Sequence, residues 1–374
     1  MKKVFSFALI FSALCAGFTS CSNDEDGAIA QNGAGVETRA MGFNANIEGN
    51  AHATRGYATT EANALSQITS FQTWGYDATT DKLYMGESAT TGRIVSNSGD
   101  AFNPVWSYSP QQFWPVNDLS FVAIAPAEYS AVSDNTTSST DGVVSVASTV
   151  TIPVDVENQK DLMYAEGDKV NKTTDDGNVP FTFRHALSQI VFKGKFNGDG
   201  AVTKVTIKDI TLMNIKNAGT VNFTSEGNFP TITSLTGAAN YQLDADDLEG
   251  ATWEAATEGT NAFDLTISEN SAKNNAWFLL PQVLDGSGTL VKAGNPAPSD
   301  GKTYLRVAAQ LEKDGVVILN DTDPIYIPVG TTWERSKKYI YTIEFNGTSA
   351  LTPITFSVAA EKWTDVNVDP ALEM

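Results

Sequence analysis

Val179-Pro180-Phe181-Thr182-Phe183-Arg184-His185-Ala186-Leu187-Ser188-Gln189-Ile190 is the stretch that decides the fold. Val179, Phe181 and Phe183 alternate with Pro180, Thr182 and Arg184, which is the pattern of a strand with one wet face. Ile190, Phe192, Gly194 and Phe196 continue the same period. The pattern recurs in both directions along the chain: Phe43, Ala45 and Ile47; Leu305, Val307, Ala309 and Leu311; Tyr339, Tyr341, Ile343 and Phe345; and Ile354, Phe356 and Val358. Turn clusters separate these runs, among them Asn197-Gly198-Asp199-Gly200, Asp314-Gly315 and Asn346-Gly347. Half-buried antiparallel strands are expected throughout, stacked as β-sandwiches. Helical periodicity is scarce, and short helical turns are expected only within Glu61 to Phe71 and Ala186 to Gln189. No fixed-length repeat is visible, which disfavours a solenoid or propeller.

The 374 residues allow two domains of ordinary size. The weak composition break at Asn197 to Ala201 places their boundary between 185 and 200, giving domains 40–190 and 191–374. Before them, Lys2 and Lys3 open an apolar run from Val4 to Phe18 that ends in Thr19-Ser20-Cys21. This reads as a secretory leader over 1–20, too short and wrongly flanked for a membrane span. Cys21 at its end is the expected lipidation site, its thiol receiving diacylglycerol. Phe18 departs from the usual Leu, and Cys15 is a poorer rival behind bulky Leu14. Residues 21–39 are small and polar, as expected of a tether. With both cysteines in or beside the leader, the mature chain has no disulfide framework. The formal charge of −20 repels phosphate backbones and argues against nucleic-acid binding.

The residues supply no catalytic or metal constellation. Only two histidines occur, and His185 at a strand end reads as a structurally bonded side chain. Asp244-Ala245-Asp246-Asp247-Leu248-Glu249-Gly250 fails as a calcium loop, because Glu249 stands where that loop needs Gly. No nucleophile elbow, zinc motif or phosphate loop is present. Neither enzyme activity nor a cofactor is expected. Trp74, Trp106 and Trp114 have strand-type neighbours and read as core rather than as a sugar platform.

A set of phrases, in order along nearly the whole mature chain, resembles the fimbrillin family, the type V pilins of Bacteroidota. They are Phe113-Trp114-Pro115 leading into Leu119 to Pro126; Lys160-Asp161-Leu162-Met163-Tyr164-Ala165; the opening stretch; Phe278-Leu279-Leu280-Pro281-Gln282; Trp333 to Tyr341; and Ile354 to Phe356 with Trp363. Ser22-Asn23-Asp24-Glu25-Asp26 after Cys21 resembles the surface-export signal of lipoproteins from that group. The resemblance implies two transthyretin-like β-sandwich domains and a lipoprotein precursor at the outer-membrane surface. It also implies assembly with other pilin subunits into a fimbria by strand exchange, after an arginine-specific protease has cut. It does not separate shaft, tip and anchor subunits. The match to the family places the cut at Arg55-Gly56, releasing Phe43, Ala45 and Ile47 with the lipid. Arg39-Ala40 is the alternative, and cutting there leaves the first strand in place.

The first strand has enough at stake to matter. About six backbone bonds at roughly 1 kcal/mol each, with Phe43 and Ile47 at about 1.5–3 kcal/mol each, give on the order of 10 kcal/mol. That rivals the stability of a typical domain, roughly 5–15 kcal/mol. A subunit stripped of the strand exposes an apolar groove and unpaired edges that favour capture of another strand. Ile354, Phe356 and Val358, with Val366 and Val368 beyond, are the candidate donor; an ordinary closing strand is the other reading of them. The competing function is a monomeric, surface-anchored glycan-binding lipoprotein that keeps its first strand.

Overall fold

The computed structural model describes residues 39–48, 68–99, 104–196, 202–227, 230–248, 252–254, 262–265, 276–287, 290–291, 294–345 and 354–362. Twenty-three strands form within them. The first ten are β1 Gly42–Ile47, β2 Ser70–Asp77, β3 Leu83–Met85, β4 Arg93–Asn97, β5 Trp106–Ser107, β6 Leu119–Ala125, β7 Val132–Thr140, β8 Val143–Thr151, β9 Met163–Val170 and β10 Asn178–His185. Next come β11 Ser188–Phe196, β12 Lys204–Ile215, β13 Ala218–Thr224, β14 Thr231–Thr236, β15 Ala239–Asp244, β16 Thr252–Glu254 and β17 Ala262–Asp264. The last are β18 Trp277–Leu279, β19 Tyr304–Lys313, β20 Val316–Leu319, β21 Ile325–Pro328, β22 Lys337–Phe345 and β23 Ile354–Lys362. The fold is all-β.

Four sheets carry these strands. The first runs β1-β10-β9-β6-β2-β4-β5, with β3 on β2. The second runs β17-β11-β22-β23 with β18 on β11, and the third runs β15-β12-β19-β20 with β16 and β21 attached. The fourth runs β14-β13-β8-β7. Position 190 falls inside β11, and the fourth sheet joins strands from before and after it through the β8–β13 ladder.

Two pairings depart from the antiparallel expectation: β1 lies parallel to β10, and β11 parallel to β22. A period-two pattern reports which face a side chain takes, not the direction of the neighbouring strand. Each parallel pair is separated by more than a hundred residues, which leaves ample chain for a crossover. The short helical turns expected near 61–71 and 186–189 also need correction. Ser70 and Phe71 open β2, Ser188 and Gln189 open β11, and Ala186-Leu187 is a bare link. Residues 61–67 lie outside the described part. Strand pairing overrides weak local helix preference.

β6 explains how the cores divide. All seven of its residues are buried. Leu119, Phe121, Ala123 and Ala125 face one core, while Val122 and Ile124 face another. The first core is aromatic: Phe43, Phe71, Trp114, Phe121, Phe181 and Phe183 meet in it with Met41 and Ile47. Its residues come from the first sheet and segments flanking its strands, so that sheet wraps its own core. The larger core takes Trp74 and Tyr164 from the other face, with β8, β12, β19 and β22.

Gly75 on β2 sits opposite Phe121 on β6, and a Cβ there would strike the Phe121 ring. Gly75→Ala therefore displaces the ring that packs against Phe43. Overpacking of this kind costs about 1–3 kcal/mol, read as a lower urea midpoint at unchanged slope; an unchanged midpoint would contradict this packing.

Candidate functional site

β1 forms the outer edge of the first sheet, in register with β10 from Gly42 opposite Asn178 to Ile47 opposite Phe183. β10 ladders with β9 only at Arg184 and His185. Among the described strands, β1 is therefore the sole ladder partner of Asn178 to Phe183. Further backbone bonds hold its ends. The Met41 amide donates to Gln112 at 2.9 Å, and the Glu48 amide donates to Phe183 at 2.7 Å. The Trp114 amide donates to the Arg39 carbonyl at 2.9 Å.

The inward face of β1 fills the aromatic core. Met41, Phe43 and Ile47 are 1%, 4% and 9% exposed, and Ala45 is partly buried against the same core. The Phe43 ring stacks on Phe181 with centroids 5.7 Å apart and meets Phe71, Tyr108 and Phe121 edge-on at 5.6, 5.4 and 6.4 Å. Offset and edge contacts of this kind add to plain burial. No other residue of β1 has comparable contacts.

Polar groups fix the register from outside. The Tyr108 hydroxyl and the Gln111 amide donate to the Met41 carbonyl at 2.9 and 2.8 Å. The Asn44 amide donates to the Asp175 carboxylate. At the far end, Arg184 Nε lies 3.6 Å from Glu48 Oε2, and its Nη1 pairs with Glu166. Burial pushes the Tyr108 phenol above its usual value, and the Gln112 backbone bond only partly opposes this.

Phe43, Ala45 and Ile47 thus occupy one groove, as the sequence suggests. Tyr108, Gln111, Asp175 and the Arg184–Glu48 pair were not singled out from the sequence. Their contacts lie tens of residues away along the chain, and no local pattern marks them. Arg39 is held by its guanidinium against Asp176 (3.5 Å), and Ala40 bridges Phe113. Cys21, Arg55, Gly56, Val366 and Val368 lie outside the described residues. Ile354, Phe356 and Val358 belong to β23, which pairs antiparallel with β22 at the edge of the second sheet. Val358 is 42% exposed there.

Other candidates settle into structural places. His185 Nδ1 lies 2.6 Å from Asp161 Oδ2, with both side chains buried. Asp244 accepts from the Asp246 and Asp247 amides, closing its own turn. Trp74 and Trp114 are buried and Trp106 is half-buried against Phe71, so they present no ring platform.

A family model described as fimbrillin-like matches residues 54–363. The chain belongs to the fimbrillin-like family. Among solved structures, a fimbrial protein from Bacteroides vulgatus is similar at 15% identity and a TM-score of 0.54, covering 87% of this chain and 100% of its own. A candidate cell adhesion protein from Bacteroides uniformis matches at 15% identity and a TM-score of 0.47, covering 88% and 98%. One from Bacteroides ovatus matches at 17% and 0.44, covering 87% and 98%. No curated protein matches the chain. The likeness to the B. vulgatus protein is one of fold.

Phe43→Ala should lower stability by about 3–5 kcal/mol, the usual cost of emptying an aromatic site, while Asn44→Ala changes it by about 1 kcal/mol or less. Urea unfolding measures both, and equal effects would remove Phe43 as the anchor. Because the fold holds Tyr108 neutral, its contribution is full below the unfolded phenol value of about 10 and is lost as pH rises through the higher folded value. Stability should fall above about pH 10, less steeply in Tyr108→Phe; identical slopes would contradict this.

Proposed function

We propose that this protein is a structural subunit of a cell-surface fimbria, exported as a lipoprotein precursor and polymerised by protease-triggered strand exchange. The observation that carries the reading is the β1–β10 ladder. An N-terminal edge strand plugs an aromatic core and alone completes Asn178 to Phe183. Losing it leaves backbone donors and acceptors unpaired beside an apolar groove, a state that favours capture of another strand. Family membership agrees with a role in fimbriae. In this reading the lipid on Cys21 anchors the precursor in the outer membrane, and two domains meet between residues 185 and 200.

The geometry at Arg39 favours a cut at Arg55-Gly56. The Arg39 carbonyl accepts from Trp114, and Ala40 is bridged to Phe113, so that peptide is held on the body of the fold. A cut there also leaves Met41 to Glu48 in the groove. Cutting after Arg55 separates β1 from all that follows. The donor is the C-terminal region with Ile354, Phe356 and Val358, followed by Val366 and Val368. The β23 edge gives up a single ladder on leaving. Trp74 and Trp114 are buried and Trp106 is half-buried, which weighs against the tryptophan platform that a glycan-binding monomer would use.

Arg55→Ala should leave lipidated monomers at the cell surface, and deleting residues after Thr352 should leave processed monomers. Detergent-stable ladders after mild heating, with N-terminal sequencing of the shed protein, read both. Ladders of normal length from Arg55→Ala refute the cut, and from the truncation refute the donor.

A further inference from the structure

Residues 354–361, Ile-Thr-Phe-Ser-Val-Ala-Ala-Glu, repeat the pattern of residues 41–48, Met-Gly-Phe-Asn-Ala-Asn-Ile-Glu. Phe356 falls on Phe43 and Glu361 on Glu48; Ile354, Val358 and Ala360 fall on Met41, Ala45 and Ile47. Summed over the four inward positions the two octets differ by one heavy atom, with Val358 larger by two carbons than Ala45 and Ala360 smaller by three than Ile47, so total volume is kept and the two neighbouring sites must repack. Ser357 falls on Asn44 and keeps a donor for Asp175. Thr355 falls on Gly42, where a Cβ would meet the Asn178 amide, so that side chain must rotate.

Electrostatics fixes the far end of the match. Arg184 pairs with Glu48 and Glu166, and Arg335 lies within electrostatic reach of all three. When β1 leaves, Arg184 loses Glu48 and keeps Glu166. An occupant with a carboxylate five residues after its phenylalanine restores the balance; one shifted by a residue turns its apolar side to water.

We infer that the vacated groove reads its occupant by register, taking residues 354–361 of a second copy parallel to β10, with Phe356 in the Phe43 site and Glu361 at Arg184. This rests on the strand-exchange reading, and it assigns Arg184 as the residue that selects among possible registers. Val366 and Val368 then lie past the groove, beyond the end of the β1 ladder.

The test uses the full mature chain carrying a site for an unrelated sequence-specific protease between Gly49 and Gly56. After cutting, a fluorophore on the β1 fragment reports its displacement by added peptides. Peptide 41–48 and peptide 354–361 should both displace it, and a scrambled 354–361 should not. Phe356→Ala in the peptide should weaken displacement by more than about a hundredfold. Glu361→Lys should weaken it by about three- to tenfold at low salt, as befits a partly exposed pair. In Arg184→Gln chains that last discrimination should vanish, and in Arg184→Glu chains it should reverse. If 41–48 exchanges but 354–361 does no better than its scramble, the register assignment is wrong and strand exchange stands. If 41–48 itself fails to exchange, both fall. Equal displacement by native and Glu361→Lys peptides overturns the role of Arg184.

Discussion

The seat of Phe43 against Phe181 is the constraint on which the rest depends. One ring from an edge strand closes a core whose other phenylalanines come from β2, β6 and β10, with Trp114 from the segment before β6. The backbone beneath it repeats the dependence, because Asn178 to Phe183 ladders with β1 and with no other described strand. Side-chain burial and backbone pairing are thus lost, or restored, together. That coupling makes an edge strand behave as a ligand of its own domain: tightly held, local in sequence, and replaceable by a segment of matching pattern.

Why an edge at all? Edge strands invite unwanted pairing, and proteins usually blunt them. Here, among the described residues, the outer edge of β1 is occupied only at its start, where Gln112 and Trp114 bond Met41 and Arg39. The polar contacts that hold β1 are placed at its ends and outer face: Tyr108 and Gln111 on the Met41 carbonyl, Asp175 on Asn44, Arg184 on Glu48. Each is exposed enough to be weak singly. Together they set register while the Phe43 site supplies most of the hold.

Much of this was legible in the residues. Alternation located β1, β10, β11, β19, β22 and β23, because a face that meets a core must be apolar every second residue. The same rule marked Phe43 and Ile47 as inward. Direction was not legible: alternation is blind to whether the neighbour runs parallel, and β1 and β11 both have parallel partners. Nor was the fourth sheet, in which β8 pairs with β13 across the position chosen as a boundary. The composition break at 197–201 lies outside the described residues, and a cluster of Asn, Gly and Asp marks the end of a strand whether or not a domain ends with it. Tyr108, Gln111 and Asp175 were invisible for a different reason. They serve a strand far away in sequence, and a polar residue in a loop looks the same with or without that duty.

The most direct test of the account follows the backbone of β10. Hydrogen exchange at the Val179, Phe181 and Phe183 amides of β10, the ones that face β1, should be slow in the intact chain. It should become fast once the segment between β1 and β2 is cut and the β1 fragment is washed away, and slow again in the assembled polymer. Amides that stay protected after the fragment has gone would mean that β10 has another partner and that β1 is not the strand that is exchanged.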